Sequence, residues 1–401
     1  MRSYWLVLLQ FVLFAHLQAF DGDESLNFPD FNRENFLDIS SYEYSKQLDD
    51  KWYASDNGFR LSGGSLGQDV LNTRLHFKFR TPLNAHSEFR LLSEQEAFYG
   101  AKPIRQQVEL GGRPFKSWYF SLLGTPTYEK RNSDLGLALE LGSRPSHYIR
   151  LVHIRHDVYF NDKNSQDDAY YDVSPTERQL EIVTAFREKY YLRFFLNHNE
   201  NFLKILPTDL LGNQGEFKHE GGSADLVMDY HHTEEKIVGL RIRVFDFDKG
   251  LHTSLVNARQ KFIYRSVQNY YLYPLFNKFN LTLGWRHDSL GYDTEYPDDA
   301  IESAKRYFDT NQVYGLLRHS FNNNLSFEYG LHLGQANLRE NFMNRAEGKS
   351  TNRGIESKLR LSVELISLDK NNQIMFNTNW NLDDPSGKYW DGGRISFQGI
   401  F

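Results

Sequence analysis

A histidine and a serine two residues apart, in the segment "WRHDSLGYD", have the spacing in this chain best suited to chemistry. In a β-strand His287 and Ser289 would lie on the same face, because side chains alternate between the two faces. A serine hydroxyl becomes a nucleophile when a neighbouring base accepts its proton. The pair therefore offers ester hydrolysis as one candidate chemistry, although the sequence alone assigns no third residue that would orient His287.

Other catalytic and metal-binding spacings are absent from the sequence. There is no glycine-rich phosphate loop and no His-Glu-x-x-His motif. The chain contains no cysteine, which excludes disulfides and thiolate metal sites. The carboxylate-rich stretches 161–172 and 292–303 could hold divalent cations, but they lack EF-hand spacing and are more simply interpreted as solvated loops. We therefore predict no cofactor and no metal site.

The segment that carries His287 and Ser289 continues an alternating pattern that recurs along the whole chain. Leu281, Leu283 and Trp285 precede the pair at every second position. In "LNTRLHFKFRTPL" the apolar residues occupy one parity and the basic residues the other, and the segments 135–141, 325–333 and 355–365 likewise place their apolar residues on one parity. A period of two with one apolar and one charged side indicates strands that separate two different environments.

Composition supports dispersed apolar residues and argues against several classes of partner. Of the 401 residues, 40% are hydrophobic and 15% aromatic, yet the mean hydropathy is −0.60. The net charge of −6 is small, and acidic and basic residues are interspersed, so we predict no nucleic-acid partner.

The first 19 residues have the basic start, short apolar run and small-residue end of a secretory signal peptide.

The spacing of turns distinguishes a membrane barrel from a soluble β-sandwich, which the periodicity alone also permits. Short links alternate with longer ones near 160–176, 199–222, 248–259, 289–307 and 336–353. Transmembrane barrels have this asymmetry, since periplasmic turns are short and outer loops are long. We predict an all-β transmembrane antiparallel barrel of about 18 strands (range 16–18) over residues 53–401, preceded at 20–52 by a periplasmic segment or plug.

The C-terminal segment "YWDGGRISFQGIF" ends in an aromatic residue with apolar residues at alternate preceding positions. Phe401, Phe397 and Ile395 make the chain resemble Gram-negative outer-membrane β-barrel proteins of the porin-like kind. That resemblance implies a location in the outer membrane of a Gram-negative bacterium. It also implies recognition of Phe401 by the barrel-assembly machinery, and contact with outer-membrane lipids and lipopolysaccharide.

If the apolar parity faces lipid, the charged parity faces the barrel interior. The sequence then predicts a porin-like channel, not an enzyme, for passive diffusion of small polar or charged solutes. Rows of charge along a pore set selectivity at short range. The predicted pore-lining residues are Arg74, Lys78, Arg80, Arg241, Arg243, Lys358 and Arg360.

Two alternatives to the channel stay open. The His-x-Ser-x-Gly arrangement at 287–291 is similar to that of outer-membrane phospholipase A and of lipid A deacylases, which implies a lipid hydrolase that uses His287 and Ser289. A non-conducting envelope barrel that binds polysaccharide through loops 161–172 or 292–303 is the other alternative.

Overall fold

The computed structural model describes residues 52, 55–66, 70–97, 104–125, 133–144, 146–163, 169–187, 189–208, 212–233, 236–254, 257–276, 278–295, 304–342, 349–368, 371–383 and 389–401. The predicted signal peptide 1–19 lies outside the described residues. So does all of the predicted segment 20–52 except Trp52.

The first half of the chain forms the shorter strands. They are β1 (Gly58–Leu66), β2 (Val70–Pro82), β3 (Ser87–Ala97), β4 (Ile104–Phe115), β5 (Trp118–Gly124), β6 (Leu135–Ser143), β7 (His147–Arg155), β8 (Tyr170–Val173) and β9 (Thr176–Phe186). A single helical turn, α1 (Phe160–Lys163), lies between β7 and β8. None of the helices in the described segments is long and apolar enough to cross a membrane.

The second half forms longer strands. They are β10 (Tyr190–Thr208), β11 (Gln214–His231), β12 (Ile237–His252), β13 (Asn257–Phe276), β14 (Phe279–Glu295), β15 (Ala304–Ser320), β16 (Leu325–Phe342), β17 (Lys349–Ile366), β18 (Asn372–Asn381) and β19 (Trp390–Ile400).

These strands close into a ring. β1 pairs antiparallel with both β2 and β19, with Gly58 opposite Ile400 and Gly64 opposite Arg394. β8 pairs only with the far part of β10, so of the 19 strands in the sheet 18 form the wall. The predicted all-β barrel of about 18 strands is confirmed. We call the end that holds the start of β1 and the finish of β19 the turn end, and the opposite end the loop end.

Side chains alternate as the sequence predicts, with polar residues inside and apolar residues outside. On the outer wall Leu137 is 61% exposed and Leu331 is 45% exposed, whereas the interior Arg360 is only 1% exposed. A closed ring leaves no strand edge with unpaired backbone groups facing hydrocarbon. Apolar residues outside and polar residues inside are the reverse of a soluble protein, and this distribution is expected when lipid contacts the outer wall.

Parts of several predicted loops belong to strands in the structure. The loop predicted at 199–222 is a hairpin in which β10 reaches Thr208 and β11 begins at Gln214. The loops predicted at 248–259, 289–307 and 336–353 are likewise shortened by the ends of β12 to β17. Near these ends outward residues such as Lys218 and Glu220 are exposed, so both faces of the strands are polar or mixed. The alternation that identifies a strand in lipid fades there, although backbone pairing continues.

Two interior tyrosines pack across glycines on the neighbouring strand. A Cβ added at Gly239 would lie 2.1 Å from Cζ of Tyr270, and one added at Gly284 would lie 2.1 Å from Cζ of Tyr314. The hydroxyl of Tyr270 donates to Asp229, and that of Tyr314 accepts from Gln268. Glycine is therefore required at 239 and 284 to leave room for a ring that lies flat on the wall.

Candidate functional site

A polar cavity of about 100 Å3 lies inside the barrel toward the turn end. Its walls are the interior faces of β2, β3, β4, β7, β9 and β10, and Trp52, Ser55 and Asp56 also line it. Six cationic and four carboxylate side chains surround it: Lys78, Arg80, Arg90, Arg144, Arg150, Arg193, Asp56, Glu94, Glu109 and Glu181. Cations therefore outnumber carboxylates in this lining, and Glu88 and Glu140, just outside it, contact Arg80, Arg90 and Arg144.

Trp52 and residues 55–57, the described residues before β1, lie in the lumen and close one side of this cavity. Trp52 is 6% exposed, and Nζ of Lys78 lies 4.2 Å from the centre of its ring. The same ammonium donates to the carbonyl oxygens of Trp52 and Ser55. Cζ of Arg60, which lies on β1, is 4.7 Å from the centre of the same ring. Two cations thus hold the tryptophan in the interior through charge and ring contacts.

Ion pairs that bridge several strands organise the charges around the cavity. Nη1 of Arg90 on β3 lies 2.7 Å from Oε2 of Glu140 on β6. Nη2 of Arg150 on β7 lies 2.6 Å from Oε2 of Glu109 on β4. Buried charges are costly unless they are paired and hydrogen-bonded. Pairing therefore explains how these side chains lie so deep in the interior.

The structure places the predicted pore-lining residues on the interior face, but in separate regions. Lys78 and Arg80 line the cavity, and Nη1 of Arg80 lies 2.5 Å from Oδ2 of Asp56. Arg74 lies farther along the same face of β2, opposite Ser62 of β1.

The other four predicted pore-lining residues lie away from the cavity. On β12, Arg241 covers the ring of Tyr270, and Arg243 lies 3.3 Å from Asp225. On β17, Lys358 and Arg360 are both buried in the wall's polar network.

Sequence reasoning missed Arg144, Arg150 and Asp56 as cavity residues. In "HYIRLVHIR" both parities of β7 mix apolar and basic residues, so the alternation does not reveal which one faces inward. Asp56 precedes the first strand and Arg144 follows the sixth. The basic side chain of Arg150, set among apolar neighbours, was the available signal.

Toward the loop end the interior face of β12 to β15 becomes aromatic. Phe245, Phe247, Phe262, Tyr264 and Tyr292 pack on neighbouring strands with Leu290 and Phe308. The rings of Phe247 and Phe262 stack at 5.1 Å with an interplanar angle of 8°. The side of the lumen formed by these strands therefore has an aromatic zone near its loop end.

A histidine in the segment between β7 and α1 is held by two carboxylates. Nδ1 of His156 lies 3.1 Å from Asp134, and Nε2 lies 3.0 Å from Glu177. Burial lowers the pKa of His156, but hydrogen bonds to Asp134 and Glu177 outweigh this and raise it to about 10. Since the carboxylates contact opposite ring nitrogens, they do not converge on one point. Among the described residues His, Asp and Glu side chains form no group of three that could hold a metal ion.

On the outer wall, His287 has a partner that the sequence did not assign. It lies directly opposite Asn311 on β15, and its Nδ1 is 3.0 Å from Oδ1 of Asn311. Trp285 stacks beside it at 6.2 Å. Ser289 is the next outward residue of β14 and lies opposite Asp309. A third residue that orients His287 is therefore present, which corrects the sequence-based view. Finding it required the register between β14 and β15.

No family model and no curated protein matches the chain. Pseudomonas aeruginosa OccK10 (OpdN) is similar at 11% identity and a TM-score of 0.37, over 86% of this chain and 98% of that one. OmpT, an outer membrane protein of Vibrio cholerae, matches at 10% and 0.35, over 86% and 98%. The Pseudomonas putida toluene transporter TodX matches at 9% and 0.32, over 87% and 91%.

Similarities at these levels carry no argument about function, and the class of this protein follows from its own architecture. The wall is a closed ring of 18 antiparallel strands, apolar outside and polar inside. Only such closed barrels and helices satisfy every backbone group within a bilayer. The chain is an outer-membrane β-barrel, as the alternation and the C-terminal residues predicted.

Proposed function

We propose that this barrel is an outer-membrane channel for passive diffusion of small polar or charged solutes, with a preference for anions. The observation that carries the proposal is the charged cavity in the lumen, with its six cations and four carboxylates. A solute that crosses the barrel at this level meets an excess of positive charge within a low-dielectric wall. Such a lining focuses the field and favours the entry of anions.

The mechanism relies on several weak contacts in place of one tight site. Lys78 and Arg80 line the cavity and are the proposed solute contacts. Arg74, Arg241, Arg243, Lys358 and Arg360 are proposed to act on selectivity through their charge from other parts of the lumen. Asp56 and Glu88 both engage Arg80, and Asp225 engages Arg243, which keeps solute contacts with these cations weak enough to release. The segment that includes Trp52 acts as a plug that narrows the passage at the turn end.

Swelling of proteoliposomes in solutes of graded size and charge tests this function. We expect small anions to enter faster than cations of equal size, and large oligosaccharides to be excluded. Entry of anions should slow in Arg80→Glu, and it should be unchanged in Arg265→Glu, whose side chain lies on the outer wall. Equal and negligible entry of every solute, in the wild type and after removal of residues 20–52, would eliminate the channel.

A lipid hydrolase is a second candidate because of one contact, the hydrogen-bond pairing of His287 with Asn311 at 3.0 Å. An amide that holds Nδ1 leaves Nε2 to accept the proton of Ser289, whose Oγ would then attack a lipid ester. The described structure records no hydrogen bond between Ser289 and His287, so the serine must rotate toward the ring. The location on the outer wall gives direct access to lipid.

Release of fatty acid from phospholipid in mixed micelles tests the hydrolase. We expect Ser289→Ala and Asn311→Ala to abolish or sharply reduce release, and His319→Ala, an outward histidine that stacks on Phe279, to leave it unchanged. Release that survives in Ser289→Ala would exclude this site. The polysaccharide-binding alternative stays a prediction, since its stretches 161–172 and 292–303 lie partly outside the described residues.

A further inference from the structure

The interior wall is open to solvent along three neighbouring strands, β10, β11 and β12. On β12 the inward residues from Arg241 to Phe247 are all partly exposed. At the same levels of β14, every inward residue from Arg286 to Tyr292 is buried. The strands β10 to β12 therefore offer a surface that a solute in the lumen can touch. We use the name lumenal track for five of its partly exposed residues: Phe195, Asp225, Arg243, Phe245 and Phe247.

The lumenal track continues the charged cavity toward the loop end. Tyr191 and Arg193 line the cavity, and Phe195 is the next inward residue of β10. Phe195 lies opposite Asp225 of β11, and Asp225 lies opposite Arg243 of β12. A solute that passes between the cavity and the loop end along β10 therefore meets these side chains.

The polar part of the track is an ion pair that solvent reaches. Nη2 of Arg243 lies 3.3 Å from Oδ2 of Asp225, and 35% of the arginine side chain and 26% of the aspartate side chain are exposed. The neighbouring Arg241 is engaged with the ring of Tyr270. A guanidinium carries five N–H donors and a carboxylate only acceptors. The pair can therefore serve a solute group that both accepts and donates hydrogen bonds.

Aromatic rings lie on two sides of this ion pair. Phe245 is the next inward residue after Arg243 on β12, and Phe195 lies beyond Asp225 on β10. The ring of Phe247 backs that of Phe245, with 6.0 Å between the centres and an angle of 70°. Two strand spacings separate β10 from β12, which sets the flanking rings about 10 Å apart across the wall. That distance exceeds the width of one six-membered ring and fits two linked rings.

We propose that the lumenal track binds a short saccharide of one or two pyranose units. A pyranose has apolar C–H faces that stack on Phe195 and Phe245. Its vicinal hydroxyls accept from the guanidinium and donate to the carboxylate of the ion pair. An aromatic anion would also stack on the rings, but its charge would be repelled by Asp225. The inference rests on the proposed channel, whose solute class it narrows to saccharides.

Ligand-observed NMR of the full chain, purified in a detergent without a sugar headgroup, tests binding without requiring conduction. The probes are the disaccharides lactose, maltose and cellobiose, together with sorbitol, which has hydroxyls but no ring, and benzoate, which has a ring but no hydroxyls. We expect at least one disaccharide to bind at least about tenfold more tightly than sorbitol and benzoate. Binding of benzoate or sorbitol as tight as that of every disaccharide would overturn the proposal.

Two variants test the ring and the ion pair separately. Phe245→Ala and Asp225→Ala should each weaken disaccharide binding by about fivefold or more, and Phe245→Tyr, which keeps the ring, should retain it. Phe376→Ala removes an exposed ring from the outer wall, and Asp248→Ala breaks a similar pair with Arg259 on the outward face of β12. Neither control should weaken binding. Heat-modifiable gel mobility verifies that each variant is folded. Equal losses in the controls and in the track variants would contradict the site.

Ion current across a planar bilayer distinguishes failure of the saccharide site from failure of the channel. We expect the disaccharide that binds best to reduce the wild-type current, and to reduce the current of Phe245→Ala less at the same concentration. Current that no disaccharide reduces, together with no binding in detergent, would overturn the saccharide site and leave the channel. Disaccharide binding without any current would support the site and contradict the channel.

Discussion

Arg90 reaches Glu140 across two intervening strands, with its Nη1 2.7 Å from Oε2 of the carboxylate. Glu140 is fully buried and also accepts from Arg144 at 2.7 Å. One carboxylate therefore ties β3 to β6 and to the turn that follows β6. The concave side of the wall brings these residues together, although strand order alone keeps them apart.

Removing this carboxylate should destabilise the barrel strongly. In Glu140→Gln the buried Arg90 and the partly buried Arg144 each lose one charged partner, although Arg90 keeps Glu88 and Arg144 keeps Glu181. We expect a loss of about 3 kcal/mol in the free energy of unfolding. Urea titration followed by gel mobility measures it. Glu216→Gln, which removes an exposed pair with Lys218 at 3.5 Å, should cost less than about 1 kcal/mol. Equal effects of the two changes would contradict the buried network.

The two tyrosine-covered glycines should resist substitution. Gly239→Ala and Gly284→Ala place a methyl group against the rings of Tyr270 and Tyr314, so we expect each to cost roughly 1–3 kcal/mol through overpacking. Gly315→Ala meets only Leu283 at 3.5 Å and should be tolerated. Thermal unfolding of the three variants in detergent provides the comparison. Equal midpoints for all three would disprove the proposed ring packing.

The protonated His156 should stabilise the loop end in a pH-dependent manner. Its folded pKa of about 10 exceeds the ordinary value of about 6.5, so its contribution is fully present below about pH 6.5 and is lost as the pH rises through about 10. His156→Gln should therefore lower the free energy of unfolding by about 3 kcal/mol at pH 6, and by less at pH 10. His147→Gln, which replaces an exposed histidine at a turn, is the control and should not show this pH-dependent loss. A loss of unfolding free energy in His156→Gln that grows as the pH rises would contradict a stabilising role for the protonated histidine.

Trp52 should restrict the passage at the turn end. In Trp52→Ala the cavity loses the ring that Lys78 and Arg60 hold, and we expect a larger single-channel conductance. Trp118→Ala removes an exposed ring from the outer wall and should leave conductance unchanged. A smaller or unaltered conductance in Trp52→Ala would show that the tryptophan does not narrow the pore.

The strands were predictable from sequence because a period of two with one apolar face is imposed wherever a wall separates lipid from a polar interior. The 18 wall strands and the closing segment near Phe401 follow from that rule. The extensions of β10 and β11 do not, since outward residues such as Lys218 are polar once the strand leaves the membrane. Pairs such as Arg90 with Glu140, or His287 with Asn311, depend on curvature and register, which a single sequence does not specify.

Recording current across a planar bilayer that holds the purified wild-type protein, under a salt gradient, tests the channel most directly. The excess of cations around the lumenal cavity predicts discrete conductance steps and a reversal potential whose sign shows preference for chloride over potassium. Folded protein that inserts but carries no current, with none gained after deletion of residues 20–52, would contradict the account.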